Sequence, residues 1–424
     1  MSITAIVGVN WGDEGKGRIV DYLAGDYEIV VRYQGGNNAG HTVINEYGKF
    51  ALNLLPSGIF HPGTLNILGT GTVIDLEHLV KEIEGVRAKG VRIDAGNLKI
   101  SDRAIICFPY HQAQDRLEEE RLGSKKYGST VRGIAPVYGD KYLKKGIQIG
   151  ELFYPAYLKE RLATVLEWKN AELTKVYGGR AYQLEEILAW LAEYGEKLKP
   201  MVTDTTTLLK QAVKAGKKIL LEAQLGALRD IHYGIYPFTT SSSSLAAFAP
   251  VGAGVFNRPV ERIIGVVKAY STCVGEGPFV TELFDEVGDQ LRQTGAEYGA
   301  ATGRPRRIGY LDLVATKYGA ELQGATELAL TKLDVLSREK RLKVCVGYEI
   351  DGEVVTTFPL TPLLYKAKPV YVELDGWEED ISVVRSYSQL PAEARRYVQY
   401  IEEWLEIPVK YISVGAKREE IIVR

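Results

Sequence analysis

Ile3-Thr4-Ala5-Ile6-Val7-Gly8-Val9-Asn10-Trp11-Gly12-Asp13-Glu14-Gly15-Lys16-Gly17 is the stretch whose reading decides the fold of this chain. An apolar run ending in a glycine-rich turn with one lysine predicts a buried strand over 3–9 that feeds a helix over 15–23. Bare backbone N–H groups and the helix N-terminus then form a concave site for phosphate. The turn is not the common nucleotide loop. Counting back from Gly15-Lys16, that loop calls for glycine at position 10, which is Asn10, and for a magnesium-binding Ser or Thr where Gly17 stands. Asp13 also sits among the glycines, where a carboxylate repels phosphate unless it binds a metal or moves a proton. The alternative is a plain tight turn in which Asp13 caps the helix.

With 424 residues, 46% hydrophobic and 25% charged, the chain can bury a large core. A formal charge of −2 gives no electrostatic footprint for nucleic acid or an anionic membrane, so neither is expected as a partner. Basic clusters such as Lys125-Lys126 and 304–307 are local and suit small anionic ligands. Cys107, Cys273 and Cys345 are scattered without metal-ligand spacing, which points to a reducing setting. No stretch reads as a leader or approaches the length of a membrane span. The expectation is a cytoplasmic protein.

Strands and helices alternate outward from the opening turn. A second strand is expected over 28–33, running into the polar, glycine-rich loop 34–42. Leu65–Leu68 is a short strand, and Asp75 caps a helix whose stripe Leu76, Leu79, Val80, Ile83 and Val86 has helical spacing. Residues 155–199 read as two helices, forming a helical insertion at about 155–200. A helix over 204–215 ends at Gly216, a buried strand covers 218–222, and Pro391 opens a helix to about Leu405 before the strand Val409–Ser413. The fold class is α/β: one domain over 1–424, with a mostly parallel central sheet flanked by helices, a variant P-loop-type core and long functional loops.

Further groups carry chemistry. Thr331-Lys332-Leu333-Asp334 follows an apolar run and lies near a strand's C-terminal end, where open α/β sheets bind ligands. A carboxylate there accepts from guanine N1–H and its exocyclic amine while a lysine stem lies along the base, which favours GTP over ATP. A salt-bridged strand end is the alternative. Ser413-Val414-Gly415 is placed to flank the same base. Asn38-Ala39-Gly40-His41-Thr42 puts a histidine in a loop of small residues, able to give a proton near neutral pH and to pair with Asp13 from a neighbouring strand. Gly303-Arg304-Pro305-Arg306-Arg307 sets three guanidinium forks on a loop, suited to carboxylate or phosphate, or else forms a solvated basic turn. The hydroxyl run 239–244 suits phosphate as well, and is also ordinary turn composition.

Taken together and in order, these segments resemble the adenylosuccinate synthetase family over essentially the whole chain. The resemblance is carried by 11–17, Tyr33-Gln34-Gly35-Gly36, 38–42, 54–58, 130–136, Tyr236-Pro237, 268–272, Gly277-Pro278-Phe279, Thr302-Gly303-Arg304 and 331–336. It implies a GTP-dependent C–N ligase. The γ-phosphoryl of GTP moves to O6 of IMP, and the amine of L-aspartate then displaces that phosphate. By position, Asp13 takes the N1 proton and binds Mg²⁺ with the Gly40 carbonyl, His41 stabilises or protonates the transferring phosphoryl, and Lys16 is the third catalytic residue. The GTP residues implied are Gly12, Glu14, Gly15, Lys16, Gly17, Arg18, Gly40, His41, Thr42, Arg306, Lys332, Leu333, Asp334, Ser413, Val414 and Gly415. For IMP they are Asp13, Asn38, Ala39, Gly40, His41, Thr130, Gln224, Thr240 and Arg304, with Lys144 reaching over from the second subunit of a homodimer. Aspartate falls to Thr302, Gly303 and Arg304.

The chain departs from the family pattern in one neighbourhood. Lys144 stands where the family has an arginine. Ala223-Gln224-Leu225-Gly226 replaces Gly-Ala-Gln-Gly, so Leu225 takes the glutamine position. His232-Tyr233 replaces Asp-His, Cys273 and Glu276 replace an arginine and an alanine, and Ala301 replaces a threonine. Three readings stay open at this stage: the family's own reaction, a paralogue that activates another oxo-nucleotide or uses another amine donor, and a GTP-binding regulator without catalysis.

Overall fold

The computed structural model describes residues 2–256, 258–299 and 303–424. Ten strands form the central sheet, in the order Ile421–Val423, Val409–Ser413, Glu327–Thr331, Arg262–Lys268, Ile3–Gly8, Ile219–Glu222, Ile29–Arg32, Leu65–Leu68, Leu98–Ser101, Val202–Thr203. Every described pairing in it is parallel except that of Ile421–Val423 with Val409–Ser413. The innermost strands are continuous apolar runs because helices cover both faces, and all six residues of Ile3–Gly8 are buried.

The expected elements fall within a residue or two of their observed ends. The opening helix is Lys16–Leu23, with Gly15 at φ 93° as its N-cap and no side-chain cap, so Asp13 is not the cap. Asp75 and Asp204 do cap, accepting from His78 N and Thr207 N at 3.0 Å each. The 155–200 region forms Pro155–Lys175 and Leu184–Trp190, continued by short helical turns to Met201. Its Leu158, Leu162, Leu166 and Leu173 pack into one cluster with Leu76, Leu79 and Ile83.

Two expectations are corrected. The strands carrying the Asp13 turn and the histidine loop are not neighbours, because Ile219–Glu222 lies between Ile3–Gly8 and Ile29–Arg32. His41 itself starts a separate hairpin, His41–Asn45 with Gly48–Leu52. The sequence reading also passed over the long antiparallel pair Glu339–Ile350 and Lys368–Trp377. Charges at Glu339, Lys340, Arg341 and Lys343 mask a half-buried strand whose Leu342 and Val344 are inside. None of the helices among the described residues is long and apolar enough to cross a membrane.

Candidate active site

The C-terminal ends of five adjacent strands, at Gly8, Glu222, Lys268, Thr331 and Ser413, face one crevice, the place where open parallel sheets bind ligands. The turn after Gly8 is built around Glu14, whose side chain points inward. Its Oε1 accepts from Asn10 N at 3.1 Å and Gly12 N at 2.8 Å, and its Oε2 lies 2.6 Å from Lys16 Nζ. Glu14 and Lys16 are each 2% exposed, so what Glu14 presents to a ligand is backbone. The Glu14 carbonyl accepts from Thr331 Oγ1 at 2.6 Å, which fixes the turn to a neighbouring strand end.

His41 is pressed against this turn, and a Cβ at Gly17 would lie 2.6 Å from its own Cβ. Its Nδ1 is 2.6 Å from Glu222 Oε1, the oxygen that also accepts from Ser57 Oγ at 2.7 Å, while Ser57 N donates to Oε2 at 2.9 Å. Burial would raise the Glu222 carboxyl, but the bond from His41 and the charges of His41 and Arg32 outweigh it and hold it below its ordinary range. Burial drives His41 the other way, below its usual value, more than Glu222 restores. A carboxylate at Nδ1 keeps the first proton there. Nε2 is buried with no partner among the described residues. Glu222 was read only as a strand end, yet an acid closing the buried run Ile219-Leu220-Leu221 was a signal.

Asp13, at φ 60°, lies 2.9 Å from Arg306 Nε, and Arg306 Nη1 is 2.6 Å from Glu297. Glu297 also takes Lys268 Nζ at 2.9 Å on both oxygens and the Tyr270 hydroxyl at 2.5 Å. Burial alone would raise its carboxyl, but the Lys268 and Arg306 charges prevail and hold it at about 2. An alternating chain of charges thus runs from Asp13 into the core. Glu297 was missed in the sequence, where nothing marks it as near Lys268.

Beyond the strand Glu327–Thr331, Lys332 at φ 63° opens the turn Leu333–Leu336, and its Nζ donates to the Gly295 carbonyl at 2.7 Å. Burial raises the Asp334 carboxyl, and its Oδ1 has no partner among the described residues. Leu333 and Val414 are buried, so only their backbone faces the crevice. Arg18 is bonded to the end of the strand Val409–Ser413 and the loop after it. Its Nη1 donates to Ser413 Oγ and the Gly415 carbonyl, and its Nη2 to the Lys417 and Glu420 carbonyls at 2.5 and 2.9 Å. Burial lowers its pKa to about 10.

Across the crevice, Asn38 Oδ1 accepts from Gly36 N at 3.3 Å, and the Ala39 carbonyl accepts from Asn53 Nδ2 at 2.9 Å. Gly40 follows half-buried and Thr42 projects exposed. Thr130 is exposed in a loop whose Tyr127, Gly128 and Ser129 amides donate to Glu119. Thr240 Oγ1 is buried without a partner among the described residues. Arg304 and Gly303 are exposed, and Arg304 Nη2 lies 3.5 Å from Glu276 Oε1. Thr302 and Ala301 lie outside the described residues. Lys144, at φ 64°, is exposed just beyond the helix Ile134–Tyr142, away from these groups in sequence and on the surface.

A family model described as adenylosuccinate synthetase matches residues 5–422. This chain belongs to the adenylosuccinate synthetase family. A family member from Caldanaerobacter subterraneus subsp. tengcongensis is 48% identical over 424 residues, covering 100% of this chain and 99% of its own. One from Frankia casuarinae is 45% identical with the same coverage. The solved structure of fully ligated adenylosuccinate synthetase from Plasmodium falciparum superposes with a TM-score of 0.94 at 35% identity, covering 100% of both chains. A cyanophage S-2L succinoaminodeoxyadenylate synthetase shares the fold, with a TM-score of 0.60 at 18% identity over 100% of this chain and 95% of that one. Family membership makes this chain a ligase that forms a carbon–nitrogen bond.

The departures from the family pattern can now be located. Leu225, at the family's glutamine position, adopts φ 61° and lies over Gly12. Gln224 stands directly before Leu225. It is fully buried, and its Nε2 donates to the Gly36 carbonyl at 3.0 Å and Asn38 Oδ1 at 3.1 Å, so it supports Asn38 from behind. Cys273 is buried and free, and Glu276 stands beside Arg304.

Proposed function

We propose that this chain joins IMP and L-aspartate at the expense of GTP, giving adenylosuccinate, GDP and phosphate through a 6-phosphoryl-IMP intermediate. It acts as a single folded unit in the purine nucleotide pathway of the cytoplasm. One observation carries the reading: Asp13 within the phosphate turn and His41 against it, backed by Glu222, flank the same glycines. A switch protein that only bound GTP has no use for such a pair.

Asp13 takes the N1 proton of IMP as O6 attacks the γ-phosphorus and the bond to GDP breaks. His41, with its first proton held at Nδ1 by Glu222, gains a second at Nε2 only as phosphate charge gathers beside it, and from there donates to the moving phosphoryl. The aspartate amine then attacks C6, and phosphate leaves with the electron pair of the C6–O6 bond. Positioning and charge neutralisation supply most of the rate. Lys16 and the backbone of 12–18 and 40–42 hold the phosphates, with Arg306 beside them. Lys332, Asp334 and 413–415 read guanine, supported by the unpartnered Asp334 Oδ1. Asn38, Thr130, Thr240 and Arg304 meet IMP, and 302–304 meet aspartate.

Among the described residues no group of three or more His, Cys, Asp or Glu is assembled for a metal ion. Mg²⁺ takes one or two carboxylates and fills its other positions with phosphate oxygens and water. Asp13 and the Gly40 carbonyl would hold it, and when bound it neutralises phosphoryl charge. A homodimer in which Lys144 serves the partner's site is supported by the exposed apolar surface beside it, with Tyr142 74% and Leu143 63% exposed and Tyr154, Tyr157 and Trp168 nearby in sequence. The deciding experiment measures phosphate release from GTP with IMP and aspartate added singly and together, with product identified by mass. Release requiring both, with adenylosuccinate formed, is expected. Release with either one alone, or none with both, would refute the reading.

A further inference from the structure

The acceptor side rests on three loops, 127–131, 238–240 and 273–277, and a buried cation lies where they meet. Arg229 ends the short turn Ala227–Arg229 and is 8% exposed. Its Nη1 donates to the Phe238 carbonyl and, at 3.3 Å, to that of Glu276. Its Nη2 donates to the Val274 carbonyl at 2.5 Å and to Cys273 Sγ at 3.0 Å. The Arg229 carbonyl in turn accepts from Thr240 N at 2.8 Å. The third loop is reached through the second: Glu276 N donates to the Tyr127 carbonyl at 3.3 Å, and a Cβ at Gly128 would lie 3.2 Å from Gly275 Cα.

Only a guanidinium offers five N–H donors in a rigid fork, enough to gather carbonyls from two loops at once. Bonds from a charged donor are about twice as strong as neutral ones. Arg307 holds the same loop from the other side, donating to the Gly277 and Gly275 carbonyls at 2.9 and 3.2 Å, but it is paired with Glu282. The partners that hold Arg229 are three carbonyls and a thiol. Where the family pattern places a guanidinium at position 273, this chain has Cys273 and brings Arg229 in from the opposite loop.

We propose that Arg229 is a positioning residue for the acceptor nucleotide: it locks 238–240 to 273–277, and through them 127–131, and so sets where Thr130 and Thr240 meet that nucleotide. This rests on the proposed function, under which those threonines hold IMP. The test compares Arg229→Met with the parent protein and with Arg229→Met/Cys273→Arg. Arg229→Met is expected to raise the KM for IMP about tenfold or more while leaving the KM for GTP within about twofold. Backbone amides of 127–130, Thr240 and 274–277 should exchange hydrogen faster, and Cys273→Arg should recover both readouts. Should the methionine variant fail to fold, Arg229→Lys serves, keeping the charge but losing the fork.

An unchanged IMP KM and unchanged exchange would overturn the proposal, as would an equal rise in every KM with exchange faster throughout the chain. If the parent protein itself forms no adenylosuccinate, the proposed function fails instead. The exchange comparison then still decides whether Arg229 locks the loops.

Discussion

The two halves of the crevice are held by different kinds of contact. On the side proposed for GTP, Glu14 and Lys16 hold the turn from within it, and Arg18 and Thr331 tie it to the neighbouring strand ends. Across the crevice, the acceptor side depends on loops far apart in sequence, pinned by Arg229, Arg307 and Glu119. The first arrangement leaves little room for change, because each group answers to a strand end. The second is held by cations that reach across from other loops, and the departures Cys273 and Glu276 lie within it.

The largest effect should come from Asp13→Asn, with kcat lower by about 10³-fold, a loss typical of removing a general base. An amide that left kcat within tenfold would take the proton away from Asp13. Glu222→Gln should follow, lowering kcat by about 10²-fold and lowering the melting temperature as well, because it removes one of the two buried carboxylates that offset Arg32 and the one that holds His41. If only the melting temperature moved, Glu222 would serve the fold and not the chemistry.

Acid should separate the buried charges from the surface ones. The Glu297 carboxyl sits near 4.5 in the unfolded chain and is held at about 2 in the fold, so between those values the unfolded chain binds more protons. Its stabilising contribution is complete above about pH 4.5 and is lost as pH falls towards 2. Melting temperature against pH should drop steeply in that window, and Glu297→Gln should flatten the slope there.

Asp334→Asn is expected to raise the KM for GTP about tenfold or more with kcat at saturation nearly kept, since it removes one charged acceptor from a bound base. An unchanged KM would move guanine reading elsewhere. The smallest change tests the acceptor side. Glu276 competes for Arg304 as an exposed pair worth under about 1 kcal/mol, so Glu276→Ala should lower the KM for aspartate about two- to fivefold. A rise instead would make Glu276 part of aspartate binding.

Legibility in the sequence followed the same division. The Ile3–Gly8 strand, the Lys16–Leu23 helix and the Asp75 cap were readable because their signals are local: an apolar run, a glycine turn, an acid before a helix. Asp13, His41 and Asp334 stand out as candidates for the same reason. Glu297 leaves no such mark and Glu222 only that of an acid closing an apolar run, because their partners lie about 30 and 180 residues away. Sheet order also hid the histidine's true position. A parallel strand that pairs between two earlier ones, as Ile219–Glu222 does, leaves no mark at the positions it separates.

The contact between Gly17 and His41 bears on how such a site could arise. A hydroxyl-bearing residue at position 17, as the common nucleotide loop requires, needs a Cβ in space that His41 fills to 2.6 Å. The two loop designs therefore exclude one another at a single carbon atom. A lineage passing from either to the other must exchange the serine or threonine and the histidine together, or pass through an ancestor with neither, and the same constraint meets anyone grafting one turn onto the other's scaffold.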